Sequence, residues 1–268
     1  MEFPHVLRVA YLGTAFYGWQ VQSTLRTVQG ELWTALRKLH PEAPLPQGTG
    51  RTDAGVHAQD QVVLILCPKA WEPYRLLAAL NAHLPPDVRV MEARPAPEGF
   101  FPRHHAAGKR YVYRISEGPA KSPFDEGRRW HVFGAEPLDR AAMAEAARHL
   151  KGRHDFAGFR APECVAKTTV RFLHDLRLEE AYPRLDLVFE GDRFLMHQVR
   201  IMAGTLVDVG KGRIRAADLP GILASRERVR AGQTAPAEGL WLDQVWFQAR
   251  FGLSAPCPWG EEAWDENG

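Results

Sequence analysis

Residues 47–66, QGTGRTDAGVHAQDQVVLIL, join a glycine-rich polar loop directly to an apolar run. Glycine permits positive φ and close backbone approach, so the three glycines of this loop predict an irregular and tightly folded turn. The run QVVLIL predicts a buried strand that supports the turn. Because functional side chains are often carried by loops on rigid elements, Arg51, Asp53 and His57 are candidate site residues. A plain polar turn that leads into a strand is the alternative.

Composition limits the class of protein. Among 268 residues, 45% are hydrophobic and 25% are charged, which is typical of a globular protein, and a net charge of +2 does not by itself indicate nucleic acid. No apolar run approaches the roughly 20 residues that a membrane helix needs. The start, MEFPHVLRVAYLG, lacks a basic leader, and three widely spaced cysteines fit neither a disulfide framework nor a zinc site. We therefore expect a cytoplasmic protein.

Hydrophobic periodicity predicts helices and strands along both halves of the chain. Strands are predicted at 5–11, 61–66, 88–94, 108–115 and 240–247, with a hairpin within 172–190. Helices are predicted at 28–39, 72–84, about 138–150, 193–209 and 216–225. The hairpin-like joins favour a mixed α/β (α+β) fold with largely antiparallel sheets. The predicted domains are two similar halves, 1–103 and 104–248, followed by a tail at 249–268.

Asp53 has more than one open interpretation. A loop Asp often forms an Asx-turn or caps a helix. Alternatively, a carboxylate held near the cation of Arg51 stays ionised at neutral pH, which suits a nucleophile or an electrostatic stabiliser. A metal site that joins Asp53 and His57 to His104 or other histidines has no supporting ligand spacing in the sequence.

Tyr111 and Tyr113 share a predicted strand face with Lys109. Such a face either stacks an unpaired base beside its phosphates or packs in the core. The segment 13–22, GTAFYGWQVQ, is similarly either a contact loop or an aromatic-anchored turn.

Arg200 lies within an apolar helical run. A charge in this position either reaches to the helix edge or requires an acidic partner. Asp53 is the candidate partner, although Asp192 and Asp208 are nearer in sequence.

Motifs for nucleotide cofactors and for serine hydrolases do not occur in the sequence. There is no G-x-x-x-x-G-K-[ST], no G-x-G-x-x-G that follows a strand and opens a helix, and no G-x-S-x-G. We therefore expect no cofactor.

Several motifs in order resemble those of the tRNA pseudouridine synthase A family. GRTDAGVHAQDQV looks like the family's signature loop, and YLGTAFYGWQVQ is similar to its opening motif. Further family blocks are matched by LNAHLPPDVRV, KRYVYRI, HDFAGFR, FLMHQVRIMAGTL and APAEGLWL. The resemblance covers roughly residues 8–245.

This resemblance implies the pseudouridine synthase fold with a central catalytic cleft. It also implies isomerisation of uridine to pseudouridine at positions 38–40 of the tRNA anticodon stem-loop. Asp53 takes the place of the catalytic aspartate and Tyr111 that of the base-stacking tyrosine, while Arg200 matches an arginine that in the family lies against the catalytic carboxylate. Asp53 either attacks the sugar or base or removes a sugar proton to give a glycal, and either the Tyr111 phenol or Asp53 takes the C5 proton.

RNA contact and assembly are implied in the same way. Arg51, Arg103, Lys109 and Arg110 are the expected substrate-binding residues, and the basic side chains between residues 103 and 129 are expected on tRNA phosphates. The family is a homodimer that contacts the anticodon arm and elbow of tRNA, without a metal.

The sequence departs from the family pattern at a few positions. Leu12 stands where Asp is usual, His104 where an aromatic residue follows Arg103, and Phe172 and Leu173 where Thr-Ile is common. Two other classes stay open: a non-catalytic RNA-binding protein of this fold, and a metal-dependent hydrolase that uses Asp53, His57 and His104.

Overall fold

The computed structural model describes residues 2–260, which form ten strands and six α-helices. The strands are β1 (Phe3–Tyr11), β2 (Gln47–Gly48), β3 (His57–Cys67), β4 (Val88–Pro95), β5 (Ala106–Gly118), β6 (Trp130–Phe133), β7 (Gly152–Asp155), β8 (Val170–Ala181), β9 (Arg184–Gly191) and β10 (Leu240–Phe247). The helices are α1 (Val28–Leu39), α2 (Pro73–His83), α3 (Pro102–His105), α4 (Arg140–Leu150), α5 (Gln198–Gly210) and α6 (Leu219–Ser225). The predicted mixed α/β class is confirmed. No helix within residues 2–260 has both the length and the apolar character needed to cross a membrane.

The first compact unit contains the chain up to Ala107 together with Leu242–Pro258. Its strands follow the order β4-β1-β3-β10, and β2 pairs with β3. β1 is antiparallel to both β3 and β4, in agreement with the predicted largely antiparallel sheets. Nearly every side chain of β3 is buried, which explains why its sequence is a continuous apolar run rather than an alternating one.

Helices α1 and α2 have clear local signals at both ends. Thr27 caps α1 by accepting a hydrogen bond from the Gly30 N–H, and Glu72 caps α2 in the same way through two backbone N–H groups. In each helix the buried leucines recur at helical spacing, and prolines follow soon after the last turn. Both helices therefore begin and end within a residue of the predicted positions.

The second compact unit contains Gly108–Trp241 and continues from Trp259. Its strands follow the order β5-β9-β8-β7, all antiparallel neighbours, and β6 pairs with β5 in parallel. The predicted hairpin is confirmed by β8 and β9, and α4 packs against α5 and β8. The short strands β6 and β7 have only four residues each and were not predicted.

The predicted start of the helix at residue 193 is wrong, because α5 begins at Gln198. His197 has a left-handed backbone with φ 61°, which interrupts helical geometry immediately before α5. The Gln198 side chain accepts the Leu195 N–H at 2.8 Å, and the Met196 carbonyl accepts the Ala161 N–H at 3.0 Å. Residues 193–197 are therefore fixed as a loop by bonds outside the helix.

The compact units divide the chain at other positions than the predicted domains. The first division falls after Ala107 rather than at 103, and Leu242–Pro258 belongs to the first unit although it follows the second in sequence. Part of the predicted tail is held there, since Leu253 is buried and its carbonyl accepts a hydrogen bond from Arg94 at 2.8 Å. The acidic end at 261–268 lies outside the described residues.

Candidate active site

Asp53 lies in the turn between β2 and β3, in the first unit, and its side chain is half-buried. The turn is joined by backbone bonds to the aromatic segment after β1. The Trp19 N–H donates to the Thr52 carbonyl, and the Gly55 N–H donates to the Phe16 carbonyl, both at 3.1 Å. These bonds hold the backbone on either side of Asp53, so its side chain projects from a backbone of defined position.

Two glycines of the aromatic segment make this close approach possible. A Cβ at Gly13 would lie 2.0 Å from the Val56 carbonyl oxygen, and one at Gly18 would lie 2.6 Å from the Thr52 carbonyl oxygen. Gly18 also has φ +84°, which other residues rarely adopt. No side chain larger than hydrogen fits between the two backbones at these positions.

The aromatic side chains of this segment decide between its two predicted roles. Phe16 and Trp19 are buried, so for them the aromatic-anchored turn is confirmed. Tyr17 remains 56% exposed. The segment thus anchors the Asp53 loop and leaves one aromatic ring at the surface.

A second set of side chains supports the loop from β1 and β3. The Tyr11 hydroxyl and the Thr52 hydroxyl are 2.8 Å apart, and burial raises the pKa of Tyr11. Gln61 Nε2 donates to the Gly50 carbonyl at 2.9 Å, while its Oε1 accepts from the Thr49 hydroxyl. Sequence reasoning missed Tyr11 and Gln61, although both occupy strand positions next to the loop.

His57, a candidate site residue of the loop sequence, is held inside the fold. Its side chain is fully buried, and Nδ1 accepts the Gly13 N–H at 3.0 Å. A ring nitrogen that accepts a hydrogen bond carries no proton, so the ring is not doubly protonated in this arrangement. His57 therefore supports the loop rather than providing a cation beside it. Arg51, by contrast, is exposed.

Metal-binding side chains are not grouped in the part of the chain that the structure describes. Within residues 2–260, no three His, Cys, Asp or Glu residues lie close enough together to hold a metal ion.

Tyr111 lies in β5 of the second unit, opposite Phe189 in β9. The residue is largely buried, with 9% of its surface exposed, and its ring meets Phe194 edge-on with 5.2 Å between the centroids. Phe194, in the loop before α5, is a further residue that sequence reasoning missed. An aromatic ring fixed by a second ring is suited to stack a base, because little side-chain entropy is lost on binding.

Tyr113 has a different role from its neighbour two residues earlier. It is fully buried, and its hydroxyl donates to the Pro236 carbonyl at 2.7 Å. Burial raises the pKa of Tyr113. A Cβ at Gly239 would lie 2.6 Å from the Tyr113 ring, so the ring fills its space completely. Tyr113 is therefore a core residue.

Arg200 lies in the first turn of α5 and is half-buried. Its Nε donates to the Ala235 carbonyl at 2.8 Å, and the Ala235 N–H donates back to the Arg200 carbonyl at 3.1 Å. Of the two acids nearer in sequence, Asp208 pairs with Arg213, and Asp192 accepts from the Phe172 N–H. The Arg200 backbone and its Nε are thus both held by Ala235.

Several basic residues between 103 and 129, which were expected to contact tRNA phosphates, have partners within the protein. Arg110 pairs with Glu190 at 2.8 Å, and Arg129 pairs with Asp186 at 2.6 Å. Arg114 lies 4.2 Å above the Trp241 ring. Such pairing reduces the charge that is available to a phosphate. Arg103 and Arg128 are exposed, and Lys109 is half-buried opposite Gly191.

Comparison with known proteins places this geometry in a family. The model of a tRNA pseudouridine synthase family matches residues 8–102 and 146–248. The chain belongs to this synthase family. The matched ranges include the Asp53 loop and Arg200, whereas Tyr111 lies between them.

Named relatives extend the similarity to most of the chain. A tRNA pseudouridine synthase A of Myxococcus xanthus is 44% identical over 255 residues, which are 95% of each chain. Proteins of the same name from Acetivibrio thermocellus and Geobacter sulfurreducens are 40% and 41% identical over 241 residues, covering 90% of this chain and 98% of theirs. The predicted family and the predicted enzyme class, an isomerase, are confirmed.

Proposed function

We propose that this synthase isomerises uridine to pseudouridine at positions 38–40 of the tRNA anticodon stem-loop. Family membership along most of the chain supports the reaction. The observation that carries the residue assignment is the Asp53 loop, whose backbone is bonded on both sides of the carboxylate to a buried aromatic segment.

Asp53 supplies the catalytic carboxylate in this proposal. The bond between C1′ and N1 of the nucleoside breaks, the base turns, and C1′ bonds to C5. The C5 proton then leaves to a base, and N1 gains a proton. The carboxylate acts either by attack on the sugar or base or by removal of a sugar proton that gives a glycal. A fixed backbone serves both routes, because reaction requires the carboxylate at a defined distance.

Tyr111 stacks on the extruded uracil. Removing a base from its stack costs a few kcal/mol, and stacking on an aromatic ring returns about 1–3 kcal/mol of that cost. The edge contact with Phe194 supports this role, since it holds the ring before the base arrives. The C5 proton is taken by the Tyr111 phenol oxygen or by Asp53.

The remaining assignments follow the family resemblance. Arg200 is a catalytic residue in this proposal, and Arg51, Arg103, Lys109 and Arg110 contact the RNA backbone. Exposure supports Arg51 and Arg103, whereas the Glu190 pairing of Arg110 makes its contribution the smaller one. We further propose a cytoplasmic homodimer that contacts the elbow of tRNA and requires neither a metal nor a cofactor.

Release of label from C5 of uridine in transcribed tRNA tests the proposal. Asp53→Asn keeps the shape of the side chain and removes its charge, so we expect turnover to be lost while tRNA binding is kept and EDTA has no effect. Persistent release from the variant would place the catalytic group elsewhere. Binding without release from the wild type would favour a non-catalytic RNA-binding protein, and sensitivity to EDTA would favour a metal-dependent hydrolase.

A further inference from the structure

A row of aromatic rings reaches the surface of the first unit at α3 and the turn Ala249–Phe251. Phe100 and Phe247 are buried, and their rings meet edge-on at 5.2 Å. Phe100 also meets Phe251 edge-on at 5.3 Å, and His105 stacks on Phe251 at 4.6 Å. These packed rings form a rigid base below the surface.

Phe101 is the exposed end of this row, with half of its side chain open to solvent. Its N–H donates to His105 Nδ1 at 3.1 Å, and its ring lies 6.3 Å from the His105 ring and 6.5 Å from the His104 ring. Because the backbone is bonded and the inner rings are packed, the outer face of Phe101 is presented in a defined direction.

The two segments that form this surface, α3 and Ala249–Phe251, also carry exposed arginines. Arg103 and Arg250 are both exposed, and the Arg250 guanidinium lies 4.7 Å from the Phe251 ring. Burial lowers the pKa of His105, and the charges of Arg250 and His104 lower it further. Glu98 is the single acid between residues 96 and 106. An exposed ring on a surface that also carries exposed guanidinium groups is the usual arrangement for binding single-stranded nucleic acid.

We propose that Phe101 stacks an unpaired nucleobase of the tRNA substrate other than the uridine that reacts, while Arg250 and Arg103 contact the adjacent phosphates. This inference rests on the proposed function for the identity of the RNA. The positive charge favours a polyanion over a protein surface, because interface cores between proteins are depleted of charge. Arg250 follows the part of the chain that the family model matches, so this contact adds to the family's matched motifs.

Binding of full-length protein to transcribed tRNA tests the Phe101 site, together with the steady-state kinetics of C5 label release. We expect Phe101→Ala to raise Kd and KM roughly 5-fold to 100-fold, the range that loss of one base–aromatic stack gives, with kcat unchanged. Phe101→Trp keeps a stacking ring and should keep Kd. Tyr74→Ala is the matched control, because Tyr74 is also an exposed aromatic residue of the first unit.

Arg250→Ala gives an independent measurement. Loss of one phosphate contact should flatten the slope of log Kd against log salt concentration by roughly 0.7–0.9. A wild-type Kd for Phe101→Ala, or an equal loss for Tyr74→Ala, would overturn the proposal. So would a change in self-association by sedimentation with tRNA affinity unchanged, since the surface would then join copies of the chain. If the wild type binds tRNA without releasing label, the proposed function fails, whereas the Kd of Phe101→Ala still decides the Phe101 site.

Discussion

The loop around Asp53 and the strand around Tyr111 are held in different ways. Around Asp53, two backbones approach so closely that Gly13 and Gly18 leave no space for a Cβ. Around Tyr111, the backbone is an ordinary antiparallel ladder, and the ring is positioned by the side chain of Phe194. The conformation of the Asp53 loop therefore requires that Gly13 and Gly18 have no Cβ, whereas the position of the Tyr111 ring requires the Phe194 side chain. Adding one methyl group at Gly13 should disrupt the Asp53 loop. Removing the hydroxyl from Tyr111 or Tyr113 should show which tyrosine of β5 acts in the reaction and which only stabilises the fold.

Gly13→Ala should have the largest effect. Its Cβ would lie 2.0 Å from the Val56 carbonyl oxygen, so either the Asp53 loop or the segment after β1 must shift. We expect a loss of about 3–5 kcal/mol in stability, and a fall in kcat of at least about 100-fold in the protein that remains folded. Thermal unfolding and label release from C5 measure the two effects.

Gly221→Ala is the control for that substitution. Gly221 lies in α6 of the second unit, and a Cβ there would meet no atom within 4 Å. Alanine in a helix is favoured over glycine, so this variant should keep its activity and be as stable as the wild type or more so. Wild-type kcat in Gly13→Ala would show that the position of Asp53 does not depend on the close approach.

Element bounds set by local sequence signals could be predicted, whereas bounds set by particular side-chain and backbone contacts could not. The bounds of α1 and β10 match the predictions because caps, prolines and hydrophobic period are local signals. The predicted start of α5 was wrong because the Gln198 side chain accepts a hydrogen bond from the Leu195 N–H and His197 adopts a positive φ. Neither choice is visible in a hydrophobic pattern.

The candidate site shows the same limit. The glycine density of the loop predicted a tight turn, but its partner is a segment more than thirty residues away in sequence. His57 was a candidate site residue because of its position in the loop sequence, whereas its burial against Gly13 depends on how β1 and β3 pair. Tyr111 and Tyr113 alternate identically in sequence, so only packing could show that Tyr113 is fully buried whereas Tyr111 is 9% exposed.

The strand that supports the Asp53 loop should respond to alkaline pH through Cys67. Cys67 is buried at the end of β3, and burial raises the pKa of its thiol from 9.0 to about 11. The neutral thiol is favoured in the folded state, so its contribution is complete below pH 9 and is lost as pH rises towards 11. We expect a loss of about 1–2 kcal/mol in the free energy of unfolding over this interval.

Cys67→Ala isolates this contribution, since the other groups that titrate at alkaline pH remain. Urea unfolding at pH 8 and at pH 11 should give a smaller decrease in stability for the variant than for the wild type. Parallel decreases in the two proteins would assign the alkaline instability to other groups. Activity at pH 7 should be the same in both proteins, because Cys67 is the last residue of β3 and the Asp53 loop precedes the first.

Removing the phenolic hydroxyl from each of two tyrosines of β5 should have the smallest and most selective effect. Tyr113→Phe deletes the donor to the Pro236 carbonyl and should cost about 1 kcal/mol of stability with kcat unchanged. Tyr111→Phe keeps the ring that stacks on the base, so tRNA affinity should be retained. Label release from Tyr111→Phe then decides the last proton transfer: its loss assigns the C5 proton to the phenol oxygen, and its retention assigns that proton to Asp53. A loss of activity in Tyr113→Phe that exceeds its loss of stability would contradict the assignment of that side chain to the core.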